Sequence, residues 1–300
     1  MKKILFPCTS PIHIARNQLL LNELKKDFEV HIGEYGEKDM PMDEIACDIT
    51  PKFKVALDTI KPDLVLIRAD RAELLPCAML SVYGGYKVAQ LEAGDLSGTW
   101  DNKIRYSISH LSDFHFTTND EAYRRLLTMG FTKVYNEGSL DCEYAMDVQP
   151  QNLHSKPYIL VLWHPTPDED SNELYEAING LKNDFEIVGI RGNHDYGEKS
   201  SYKEFYKPDE FINLLRYAKC LVGNSSAGLK EASVLGTPVV NVGSRQKNRL
   251  RPDNVKDCKC EKKDIEYTIK YQLEHRYPIS TLYYKPYASK KIAEVIKNVL

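Results

Sequence analysis

Short apolar runs alternate with amphipathic helical stretches along the whole chain, and the alternation restarts at its middle. That pattern confines the chain to parallel α/β structure. A parallel strand is covered by helices on both faces, so it reads as a continuous apolar run rather than as alternating residues. In the first half the runs predict strands at 4–8, 29–32, 64–67, 88–91, 114–117 and 134–136, with helices at 101–111 and 121–129. The second half predicts strands at 158–163, 186–190, 220–223 and 239–242, and helices at 172–181, 208–217 and 227–235. Between the halves, residues 148–156 are polar and aperiodic, as a join should be.

The expected organisation is two Rossmann-like lobes, residues 1–150 and 151–284, facing each other across a cleft. Residues 285–300 close the chain as a helix, with Ile292, Val295, Ile296 and Val299 on one face, packing back on the first lobe. Ligands of open parallel sheets bind beyond the carboxyl ends of the strands, so chemistry is sought just after strands.

Composition narrows the partners. Hydrophobic residues at 42% can build two cores, and a net charge of −3 provides no basic field for nucleic acid. No apolar run approaches a membrane span, and the N-terminal apolar run is short and quickly interrupted by Ser10, Pro11 and His13, so it reads as a first buried strand rather than a signal peptide. Seven scattered cysteines suit a reduced, cytoplasmic protein, and Cys258 with Cys260 lacks the further ligands a zinc site needs.

Two post-strand segments carry the chemistry. The run 220–232 leaves a strand, turns on Gly223-Asn-Ser-Ser-Ala-Gly228, and enters a helix whose N–H groups would favour a phosphate. Ser225 and Ser226 can add hydroxyl donors, and Glu231 is suited to accept hydrogen bonds from a ribose. An ordinary helix cap by Asn224 or Ser225 explains the same residues equally well. After the next strand, Arg245, Lys247, Arg249 and Arg251 place four cations in seven residues. They suit a diphosphate, and a solvated basic loop is the plain alternative.

These segments resemble the UDP-N-acetylglucosamine 2-epimerase family, whose second lobe has a similar Ser/Gly-rich turn ending in glutamate. Arg245-Gln246 is similar to a dipeptide of its hydrolysing branch, as are Asp70-Arg71 and Asn193-His-Asp-Tyr-Gly197. Leu91-Glu-Ala-Gly94, the acidic stretch from Trp100 to Arg105, His164, and Pro286-Tyr-Ala-Ser-Lys-Lys-Ile292 follow in the family's order. The resemblance implies a GT-B-like architecture and elimination of UDP from a UDP-sugar to a glycal, followed by water addition (hydrolysing) or return of UDP (reversible). It implies Asp70, Glu92, Asp101 and His164 as catalytic groups. Arg71, Asn193, Ser225, Ser226, Glu231 and Arg245 then bind substrate. No metal or cofactor is implied, and the family's habit implies a homodimer. Each residue keeps a plainer reading: Asp70 and Glu92 as loop or capping carboxylates, Asp101 as a helix N-terminal acid, His164 as a surface histidine.

Departures from the family pattern lie in the first lobe. Ser10 and Ala15 stand where the family carries an arginine and a lysine, and Arg16, one residue on, would face about 100° away on a helix. The stretch between residues 32 and 61 is also short. A glycosyltransferase of the same architecture and a nucleotide-sugar-binding protein without turnover are the competing functions.

Overall fold

The computed structural model describes residues 1–9, 11–35, 41–68, 72–191 and 206–300. Asp70, Arg71 and Asn193, together with Ser10, lie outside the described residues. The chain divides into two compact units, Met1–Tyr144 with Tyr283–Leu300, and Ala145–Leu282.

The first unit is built on strands β1 (Lys3–Cys8), β2 (Glu29–Glu34), β3 (Leu64–Arg68), β4 (Lys87–Leu91), β5 (Phe114–Thr117) and β6 (Val134–Asn136). They form one parallel sheet in the order β2-β1-β3-β4-β5-β6. Successive side chains leave opposite faces of a strand, and the core divides accordingly. Ile4, Phe6, Leu64 and Leu66 pack on one face with Ala288, Ile292 and Ile296 of the C-terminal helix Ala288–Val299. Leu5, Val65 and Ile67 pack on the other face against Ile49, Phe53 and Leu57. Those last three belong to the helix Met42–Ile60, which was not among the expected elements and which contains Pro51.

Strands β7 (Tyr158–Trp163), β8 (Glu186–Arg191), β9 (Cys220–Gly223), β10 (Val239–Val242) and β11 (Val255–Cys258) form the second sheet, in the order β11-β10-β9-β7-β8. It too is wholly parallel among the described residues. Counted from its own first strand, each sheet runs second, first, third, fourth, fifth, and the first unit adds a sixth strand beside its fifth. In both, the chain direction of the crossovers reverses between the first and third strands, at β1/β3 and at β7/β9. Such a reversal opens a crevice at the carboxyl ends of those strands.

Local chemistry sets the helix starts nearby. Asn119 Oδ1 accepts from Ala122 N at 2.8 Å to cap Asp120–Thr128, and Asp170 Oδ1 accepts from Asn172 N at 2.9 Å to cap Ser171–Asn179. Among the described residues no helix is long and apolar enough to cross a membrane.

Candidate functional site

In the second unit the carboxyl ends of β7 and β9 are tied by one buried amide. Gly223 ends β9 at φ +149°, and a Cβ there would lie 1.9 Å from the Leu162 carbonyl oxygen. Only glycine lets the two strand ends approach so closely. The next residue, Asn224, is fully buried. Its Oδ1 accepts from His164 N at 2.8 Å, and its Nδ2 donates to His164 O at 2.7 Å. The loop after β10 joins them, because Arg245 Nη1 and Gln246 Nε2 donate to the Asn224 carbonyl at 3.0 and 2.7 Å. One neutral residue therefore fixes three post-strand loops.

Glu169 adds a second tie between two of those loops. Its Oε1 accepts from Ser244 N at 2.6 Å and its Oε2 from Thr166 Oγ1 at 2.8 Å. Arg245 and Gln246 thus follow a loop start that is held from two sides.

The turn itself differs from the expected helix over 227–235. Ser226–Gly228 form a 3-10 turn, and a short helix runs only from Glu231 to Leu235. Lys230 between them adopts φ −96°, ψ −80°, which is not helical and breaks the run. Ser225 Oγ accepts from Ala227 N at 3.3 Å, so the capping alternative is realised. A hydroxyl oxygen that accepts still has its own O–H to donate. Ser225 and Ser226 are half-buried, whereas Glu231 is buried at the first position of the short helix. His164 is buried as well, not a surface histidine. Of the four loop cations, Arg251 is committed elsewhere: its Nε lies 2.9 Å from Asp257 Oδ1 and 3.0 Å from Oδ2. Arg251 thereby leaves the expected diphosphate cluster.

The first unit presents charges rather than a neutral amide. Glu92 follows β4 with φ +60°, a left-handed conformation rare for a residue with a side chain, and it is 4% exposed. Holding it there costs of order 1–3 kcal/mol, which only a structure fixed on several sides retains. Gly94, two residues on, supplies one constraint: at φ +76° its missing Cβ would meet Ala122 O at 2.7 Å. Arg105 Nη1 supplies another by donating to Asp95 O at 3.0 Å. Asp101 opens the helix Asp101–His110, half-buried, and its Oδ2 accepts from Thr99 Oγ1 at 2.7 Å. Its position also satisfies the reading as a helix N-terminal acid.

Arg68, the last residue of β3, lies beside Glu92, with Nη2 3.6 Å from Glu92 Oε1 and 2.6 Å from Asp141 Oδ2. Arg16 Nε stands 3.8 Å from Asp141 Oδ1. Across the β1/β3 reversal, Thr9 Oγ1 donates to the buried Glu73 Oε1 at 2.7 Å. Cys8, at the end of β1, is no nucleophile: burial first, and the Glu34 charge second, push its thiol up to about 12.

Sequence reasoning missed Arg68, Asp141, Asn224 as a hub, Glu169 and Glu73. Two signals were present. A charge ends the buried run Leu64-Val-Leu-Ile-Arg68, and an asparagine follows a glycine at a strand end.

A profile of the family described as UDP-N-acetylglucosamine 2-epimerase matches residues 13–297. The chain belongs to the UDP-N-acetylglucosamine 2-epimerase family. A relative in Neisseria meningitidis, called UDP-N-acetylglucosamine 2-epimerase, is 34% identical over 69% of this chain and 63% of its own length. Another, called GDP/UDP-N,N'-diacetylbacillosamine 2-epimerase (hydrolyzing), from Campylobacter jejuni, is 30% identical over 68% of this chain and 62% of its own length. The chain thus spans less than two thirds of these curated relatives, 62–63% of their length. A solved UDP-GlcNAc 2-epimerase from Methanocaldococcus jannaschii, in complex with UDP-GlcNAc and UDP, shares the fold. Its TM-score is 0.85 at 17% identity, covering 99% of this chain and 100% of that one.

Proposed function

We propose that the chain is a hydrolysing nucleotide-sugar 2-epimerase acting on UDP-N-acetylglucosamine or a related nucleotide-linked amino sugar. The observation that carries the hydrolysing reading is the seat of Arg245 and Gln246, both donating to the Asn224 carbonyl at the nucleotide turn. The dipeptide Arg245-Gln246 resembles one of the hydrolysing branch, and a fixed cationic loop at that turn serves the departure of the diphosphate. Relatives named as hydrolysing, at about 30% identity, support the same reading.

The reaction is an elimination followed by an addition. A carboxylate removes the C2 proton, the electron pair forms C1=C2, and the C1–O bond to the diphosphate breaks, releasing UDP. Water then adds its oxygen to C1 and a proton enters C2 from the opposite face. Glu92 and Asp101 are assigned to the proton transfers in the first unit, with Asp70 as a third carboxylate. His164 is assigned to proton transfer in the second unit. Ser225, Ser226 and Arg245 are assigned to the diphosphate and Glu231 to the ribose, with Arg71 and Asn193 completing the set. Donors fixed in advance where charge develops lower the barrier without reorganising during reaction. Two carboxylates in different settings, Glu92 buried beside a guanidinium and Asp101 half-buried at a helix start, suit opposite acid and base roles. The seven cysteines form no disulfide, which suits a cytoplasmic setting.

The reversible reaction is the second reading, favoured by the Neisseria relative's name. Incubation with UDP-N-acetylglucosamine in deuterium oxide separates the two by proton spectroscopy. Deuterium at C2 with free UDP and N-acetylmannosamine is the hydrolysing outcome, and deuterium at C2 with UDP retained is the reversible one. UDP binding without exchange on any of several nucleotide sugars overturns both. Glu92→Gln is expected to lower exchange by about 10²–10⁴-fold while UDP affinity stays near that of the wild type. A large loss of UDP affinity would instead move Glu92 into nucleotide binding.

A further inference from the structure

Four charged side chains in the first unit form a series that alternates in sign, one half-buried and three buried: Arg16, Asp141, Arg68, Glu92. The Arg16 side chain is 25% exposed, whereas Arg68, Asp141 and Glu92 are 1%, 3% and 4% exposed. A buried charge costs several kcal/mol unless it is paired, so this series has to be read as a unit. The contacts within it are unequal. Arg68 donates a charge-assisted hydrogen bond of 2.6 Å to Asp141, but stands 3.6 Å from Glu92, beyond hydrogen-bond reach. Asp141 therefore fixes Arg68, and Arg68 acts on Glu92 through charge alone.

That inequality is what a proton-abstracting carboxylate needs. A direct hydrogen bond from the guanidinium would occupy a lone pair of the base. A fixed cation one step further away draws the carboxylate toward it without itself occupying a lone pair. Glu92 also sits on a left-handed backbone, φ +60°, so the direction of its side chain is not set by an ordinary helix or strand. Arg68 comes from a different strand, β3, and Asp141 from the helix Leu140–Asp147. The three converge from separate elements on one carboxylate.

We propose that Arg68, anchored by Asp141, is the positioning residue that orients the Glu92 carboxylate for proton transfer at C2; this rests on the reading of Glu92 as a catalytic carboxylate. Arg68 touches no reacting atom. Its contribution is geometric, and misplacing a catalytic group by about 1 Å costs about 10²-fold in rate.

The test compares wild type, Arg68→Met, Arg68→Lys and Asp141→Asn by crystal structure with UDP and by C2 exchange kinetics. In Arg68→Met the Glu92 carboxylate is expected to leave its wild-type position. The exchange kcat falls about 10²-fold, with KM little changed. Arg68→Lys restores part of the rate, because it keeps the charge and loses the fork. Asp141→Asn gives a loss between the two and carries the test if Arg68→Met does not fold. An unmoved Glu92 in Arg68→Met, or in Asp141→Asn if that is the folded variant, overturns the proposal. So does a raised KM with unchanged kcat, which would make Arg68 a substrate ligand. If the wild type itself exchanges no C2 proton, the proposed function fails, while the position of Glu92 in the variants still decides the positioning claim.

Discussion

The two sheets share the order of their first five strands, yet the ends of their central strands are tied by opposite means. At β7/β9 the tie is a neutral amide, Asn224, with hydrogen bonds to both backbone groups of His164. Near the end of β3 it is ionic, with Arg68 between Asp141 and Glu92. The difference follows from what each half is proposed to handle. At the turn meant for a diphosphate an asparagine can both donate and accept without charge, and the carboxylate that helps hold the loops there, Glu169, has its oxygens engaged by Ser244 N and Thr166 Oγ1. A half that must present carboxylates needs cations to hold them, and Arg68 supplies one from the end of a buried strand. One topology thus carries two electrical designs, set by a few residues at and beyond the strand ends.

The strongest way to break the second-unit tie is steric. Gly223→Ala would place its methyl 1.9 Å from Leu162 O, at a backbone angle that side chains rarely adopt. Nothing flexible can yield, since the obstacle is backbone. A destabilisation above about 4 kcal/mol is expected. Urea unfolding followed by the fluorescence of Trp163, in a Trp100→Phe background, measures it. A loss below about 1 kcal/mol would mean that β7 and β9 do not need this close approach.

Asn224→Ala is milder and more informative about the neutral tie. It strands the His164 N–H and C=O, at about 1–3 kcal/mol for each group left unsatisfied. Asn224→Asp keeps the shape and the acceptor but loses the donor and adds a negative charge. Stability should fall with both variants, and UDP affinity should fall further with aspartate than with alanine, measured by calorimetry. If aspartate binds UDP as well as asparagine does, the neutral character of the hub is not what matters there.

How far the sequence went can be traced through the same two regions. Strands buried on both faces announce themselves as apolar runs, so ten of the eleven strands among the described residues were anticipated, with bounds within two residues. The exception, Val255–Cys258, is an edge strand with exposed Lys256 and Asp257, and it carries no such run. Motif order pointed to the turn at 223–232 and to Glu92. It did not reveal that Lys230 breaks the helix there, because helix periodicity is blind to a single residue off helical φ and ψ. Nor could it place Arg68 against Asp141, a contact between residues 73 apart in sequence. Long-range pairing of charges has no local pattern, and that is why the ionic tie was invisible while the glycine-asparagine turn was at least in view.

The smallest predicted effect concerns the first unit away from its charged tie. His115 in β5 is buried between two carbonyls, Ser109 O at 2.9 Å from Nε2 and Lys133 O at 3.4 Å from Nδ1. Burial lowers its pKa from the ordinary 6.5, against the opposing pull of those carbonyls and of Asp113, with His110 adding slightly to the lowering. Because the folded pKa is depressed, folded and unfolded chains are both neutral well above 6.5, and no penalty exists there. As pH falls below 6.5 the unfolded chain takes up a proton that the folded chain resists, so stability is lost on acidification. The protection of the β5 amides, taken relative to the intrinsic exchange rate at each pH, should therefore fall between about pH 7 and pH 5. His115→Gln, which does not titrate, should remove that part of the pH dependence. An unchanged slope in the variant would show that His115 has no part in the acid sensitivity of this sheet.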